Sequence, residues 1–154
     1  PLLSAMAWIK VLGMIMLNAF VYAALGYLLA LCVRSASGWG GLLTVIGTLV
    51  GFLGAIYLPM SQLPEGVGNV LKCLPVLHGA AMMRVGLTEA AIEETFTGLP
   101  EMVKDIFKEE MGVTILVDGN EATLTSQILF LLVYGIIAIV AAAVISKRRK
   151  VRDR

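Results

Sequence analysis

The chain has 154 residues, 58% of them hydrophobic and 15% charged, where a soluble domain has about 45–50% and about 25%. With a mean hydropathy of +0.88, it excludes a secreted disulfide scaffold, a disordered tail and a nucleic-acid binder, and indicates an integral membrane protein. The net charge of +1 hides a split: nine acidic residues face two lysines between positions 85 and 121, and six basic residues face one aspartate between 147 and 154.

Crossing a bilayer takes roughly 20 apolar residues. The first uncharged stretch of that length runs over 11–33, between Lys10 and Arg34. Asn18 and Tyr22 lie four apart on one face of it, placed for interhelical hydrogen bonds or a polar path, with packing the stronger reading. The second stretch, 36–58, carries Gly38, Gly40, Gly41, Gly47, Gly51 and Gly54. Gly47 and Gly51 form a small-xxx-small pair and Gly54 follows, so these three are the expected helix-packing positions. Residues 1–59 thus form a unit of two spans.

The next unit, 60–87, contains an apolar run over 73–83, between Lys72 and Arg84. It is too short to span, and Pro75 and Gly79 interrupt it, which predicts a re-entrant or interfacial helical hairpin. Its single histidine, His78, reads as a polar residue at a helix end or interface.

The acidic segment 88–122 follows. Met102, Val103, Ile106 and Phe107 have the spacing of an amphipathic helix, and Gly98-Leu99-Pro100 divides the segment. The β-rich run after Gly112, meeting Asp118-Gly119-Asn120, signals a small hairpin. The last apolar stretch, 123–146, stops at the basic tail 147–154.

A dense Lys/Arg cluster directly after a span stays cytoplasmic. The C-terminus is therefore expected in the cytoplasm, 60–122 outside the cell, and the N-terminus outside. An external N-terminus opening on Pro1, with no signal peptide before the first span, leads us to expect an odd number of further spans upstream, the chain being the C-terminal part of a longer permease-like protein.

Chemistry-bearing residues are few. A metal site needs three or four converging ligands, but His78, Cys32 and Cys73 are the only His and Cys residues, with the two cysteines expected on opposite sides of the membrane. Ser61 lacks a nucleophile-elbow motif, and Gly38-Trp39-Gly40-Gly41 lacks the lysine of a P-loop. The expectation is no catalytic, metal or cofactor-binding residue in this chain. The external carboxylates lack calcium-loop spacing and read as a solvated acidic surface. The basic tail is placed to touch anionic lipid head groups.

The segment from Gly51 to Arg84 combines a glycine-rich apolar span, the pairs Leu58-Pro59, Leu63-Pro64 and Leu74-Pro75, and a closing Arg84. In this it resembles the C-terminal half of the type-2 permeases of ATP-binding-cassette (ABC) exporters. The resemblance covers most of the chain, with 11–85 its most specific part. It implies an all-α membrane fold holding the last three spans of six, with short external re-entrant helices between the fifth and sixth. Pro59, Pro64 and Pro75 would bend those helices, which with His78 and Arg84 would form an external gate. It further implies a homo- or heterodimer of permease halves in the plasma membrane, and a separate ATP-binding-cassette ATPase subunit that holds ATP and Mg. The acidic segment 88–122 is longer than a minimal member of that family needs. The alternative is a non-transporting membrane subunit that displays this segment to a partner.

Overall fold

The computed structural model describes residues 4–33, 35–56, 62–117 and 119–152. They form six helices and one two-residue ribbon: α1 (Ala5–Cys32), α2 (Ala36–Leu53), α3 (Glu65–Lys72), α4 (Pro75–Thr95), α5 (Glu101–Glu110), β1 (Leu116–Val117), β2 (Asn120–Glu121) and α6 (Leu124–Arg152). Three of them, α1, α2 and α6, are long and apolar enough to cross a membrane. Polar caps begin them: Ser4 Oγ accepts from Ala7 N at 3.2 Å, Ser35 Oγ from Gly38 N at 3.1 Å, and Thr123 Oγ1 from Ser126 N at 3.2 Å. Each side chain satisfies one of the amides that a helix start leaves without an intrahelical partner.

The body of the molecule is α1, α4 and α6, packed pairwise. From α1 the buried residues are Val11, Met14, Asn18 and Val21, one stripe at alternating three- and four-residue steps. From α6 they are Gln127, Leu131, Gly135, Ala138 and Ala142. Small residues dominate the α6 stripe, and the helices approach closely there: a Cβ on Gly135 would stand 3.3 Å from Val21 Cγ2. Such contact is the main attraction between helices in lipid, where water drives nothing together.

Antiparallel to α1 runs α4. A Cβ on Gly79 would overlap Asn18 Oδ1 and Tyr22 Oη, while one on Gly86 would stand 2.9 Å from Met14 Sδ and 3.2 Å from Val11 Cγ2. These two glycines, two helical turns apart, seat α4 on α1. The helix continues unbroken through position 87, where the sequence suggests a change of unit, because nothing between Gly86 and Gly98 stops it. Gly98, at φ 85°, lies just beyond its end.

By contrast α2 stands apart along most of its length and buries only Gly51. Its C-terminus is fastened by a Schellman motif: Ile56 N donates to Gly51 O at 2.9 Å, and Ala55 N to Phe52 O at 3.0 Å. This motif puts its C′ residue in the left-handed region, usually a glycine. Here Ala55 takes that place at φ 51°. Its methyl is buried with Leu71, Leu77, Ala81 and Ile115, and this burial offsets a backbone cost of about 1 kcal/mol.

Outside the three spans, β1 pairs antiparallel with β2, with Leu116 opposite Glu121 and Val117 opposite Asn120. Gly119 turns the ribbon at φ 78°. Gln127 Nε2 donates to Ala122 O at 2.9 Å and ties the ribbon's exit to α6.

Candidate functional site

The feature that sets this fold apart is the junction of α3 and α4, where the chain bends by 81° over two residues. Pro75 sits at the first position of α4, where it needs no amide hydrogen and holds the preceding residue extended. Accordingly Leu74 has φ −102° and ψ 139°. A broken helix among apolar spans leaves carbonyls at the end of α3 that need donors, and three side chains donate to carbonyls on either side of the break. His78 Nε2 reaches Lys72 O at 2.8 Å, Tyr22 Oη donates to Pro75 O at 3.3 Å, and Tyr134 Oη donates to Cys73 O. The rings of His78 and Tyr134 stand in one aromatic row with Phe130 between them, the His78 and Phe130 centroids 4.3 Å apart and those of Phe130 and Tyr134 4.9 Å apart.

Those donors set the elbow against the middle of both flanking helices. Tyr22 is central in the uncharged stretch 11–33, and Tyr134 in 123–146. A bilayer centred on these two spans places the elbow near its midplane. The eight residues of α3 rise roughly 12 Å, less than the half-thickness of about 15 Å of a hydrocarbon core.

Arg84, two and a half turns along α4, holds the other end. Its guanidinium donates to Gly54 O and Ala55 O, both at 2.8 Å, and to Gly112 O at 3.2 Å. Planar forked donors suit clustered carbonyls, and a cation at the end of α2 also complements its dipole. One side chain therefore joins α2, α4 and the turn after α5.

The predicted site residues fall as follows. Pro64 precedes α3 as its N-cap and Pro75 begins α4; Pro59 lies outside the described residues. His78 is buried at 4% exposure. Gly54 meets α4, its absent Cβ lying 3.5 Å from Ala80 Cβ, but among the described residues no atom beyond the backbone of α2 itself comes within 4 Å of where a Cβ on Gly47 would stand. Among the described residues, no other element packs on Gly47. Cys32 and Cys73 are both free. The sequence reading missed Tyr134, Gly79 and Gly86. A lone hydroxyl in the middle of 123–146 was the available signal for the first.

Beyond the elbow, α4 and α5 are clamped by charge. Lys104 and Lys108 each stand 3.1 Å from Glu93, and Lys104 stands 2.8 Å from Glu101. Hydrogen bonds from Lys104 and Lys108 hold the Glu93 carboxyl below the usual range. Glu101, then Glu93, hold the Lys104 ammonium above its own. Phe96 packs on Phe107 with centroids 5.0 Å apart.

Taken together, the described residues are those of an all-helical protein with the make-up of a multi-pass membrane protein. No family model, no curated protein and no solved structure matches this chain.

Proposed function

We propose that this chain is the membrane-spanning permease part of an ATP-driven ABC exporter, working as a homo- or heterodimer with a separate ATPase subunit that holds ATP and Mg. The observation that carries the reading is the α3–α4 elbow: a broken helix pair lying between two spans, near mid-depth, and tied to both by single hydroxyls. A path across the membrane needs an element that closes it and can move. The side-chain hydrogen bonds at the elbow all go to backbone carbonyls, groups that can exchange one donor for another as the elbow shifts.

In this reading the basic tail is cytoplasmic and 60–122 extracytoplasmic, so the elbow is the external gate. ATP drives the cycle only by binding the inward- and outward-open states with different affinity. Pro75 sets the bend, and Arg84 couples the gate to the end of α2.

The test reconstitutes the full-length permease with its ATPase in vesicles, and measures ATP hydrolysis and export across a panel of lipids, drugs and peptides. Hydrolysis that depends on the permease and rises with one compound class is the expected result. Tyr134→Phe and Arg84→Lys should change export while the complex still assembles. Hydrolysis indifferent to the permease, or export untouched by both substitutions, overturns the reading in favour of a subunit that displays the acidic segment.

A further inference from the structure

A polar pocket of about 250 Å³ lies where α4 and α6 leave the apolar layer, roofed by α5 and the ribbon. Glu89, Glu121, Thr114, Thr123, Lys108 and Gln127 line it. Among the described residues, neither Glu89 nor Glu121 forms an ion pair, while Lys108 is already engaged by Glu93. The decisive group is Gln127. It is only 3% exposed, its Nε2 is spent on Ala122 O, and its Oε1 has no hydrogen-bond partner. Turning the amide over would set Oε1 against the Ala122 carbonyl, so the orientation is fixed by the ribbon. A buried acceptor is costly to leave without a donor and calls for a donor from outside the described residues.

We propose that this pocket binds a primary ammonium group, either of a free amine or of an amine-bearing lipid head group. The ammonium offers three N–H donors, as many as the acceptor side chains Gln127, Glu89 and Glu121 that line the pocket. The surrounding segment, with nine acidic residues against two lysines, concentrates cations at its mouth. A quaternary ammonium carries the same charge but no N–H and leaves Gln127 Oε1 unpaired, so the site discriminates between the two. This assignment does not rest on the exporter reading.

The test titrates the full chain, in phosphatidylcholine nanodiscs, with ethanolamine by calorimetry, with choline and ethylene glycol as controls. One-to-one saturable uptake of ethanolamine is expected, with choline weaker by roughly tenfold or more, the cost of a lost charged hydrogen bond. Glu89→Gln and Glu121→Gln, at exposed positions that folding tolerates, should each weaken uptake several-fold; Gln127→Leu should weaken it and Gln127→Glu strengthen it. In phosphatidylethanolamine nanodiscs, a loss of apparent affinity identifies the head group as occupant, and an unchanged affinity identifies the free amine. Absence of saturable uptake, equal binding of choline, or uptake indifferent to the two carboxylate substitutions overturns the proposal, as does calcium binding in its place.

Discussion

Gly79 and Gly47 are the same residue type in neighbouring helices, yet they face opposite demands. At Gly79 a methyl would overlap Asn18 Oδ1 and Tyr22 Oη, which belong to a packed helix face; at Gly47 it would meet no other element among the described residues. Gly79→Ala should therefore force α4 away from α1 and destabilise the chain by about 1–3 kcal/mol, the usual cost of overpacking. Gly47→Ala should leave the isolated chain unharmed or slightly more stable, since alanine gains up to about 1 kcal/mol over glycine within a helix. Denaturation of both variants in detergent measures the difference. If Gly47→Ala instead weakens self-association while sparing the monomer, the small-residue face of α2 is packed against a second chain. Equal costs at the two positions would contradict the packing described for α4.

At the scale of the element, the elbow and the α4–α5 clamp depend on different forces and should fail under different conditions. Tyr22 and Tyr134 reach the elbow from opposite helices, and hydrogen bonds between membrane helices average about 0.6 kcal/mol each. Tyr22→Phe and Tyr134→Phe should each cost about that much, with more than additive loss in the double variant if the elbow moves as one unit. The clamp responds to pH. Glu93 is held below its ordinary pKa, so its contribution is full above that ordinary value and is lost as pH falls through the lowered one. Lys104 is held above its ordinary pKa, so its contribution is full below that value and disappears as pH rises through the raised one. Amide exchange of α5 should therefore be slowest over the intervening plateau, faster at both extremes, and faster throughout in high salt. Exchange of α5 indifferent to pH and salt would assign its docking to Phe96 and Phe107 alone. How far these elements were legible in the sequence follows from the range of the forces involved. Uncharged runs ending at Lys10, Arg34 and Lys147 are local and mark the spans; Pro75 is local and marks the bend. The donors that complete the elbow sit 53 and 61 positions from their acceptors, and such a pairing leaves no periodicity to read. Gly79 looked like an interruption because propensity speaks against glycine in a helix. Close contact with α1 is what keeps it there.

Seen as a whole, the molecule sets its acidic segment and the start of its basic tail at opposite ends of α6, with the elbow beside the middle of that helix. α1 and α2 are joined near Cys32, α4 passes out beside the start of α1, and α6 carries the chain back to the basic tail. Cys32 and Cys73 are both accessible at the surface of the chain, so thiol labelling in sealed membranes can locate three levels. With Cys73→Ser, a membrane-impermeant maleimide should reach Cys32 only from the side that holds the basic tail. A Glu94→Cys variant lacking both native cysteines should react only from the opposite side, since Glu94 lies on an exposed turn at the far end of α4. With Cys32→Ser, Cys73 should resist the reagent from either side, because a membrane-impermeant maleimide does not enter the hydrocarbon layer at that depth. Labelling of Cys73 from the Glu94 side alone would show that water reaches the elbow from that face, as an opening gate requires. Labelling from the tail side, or reaction of Cys32 and the Glu94→Cys thiol from one and the same side, would contradict the arrangement of three spans around a mid-depth elbow.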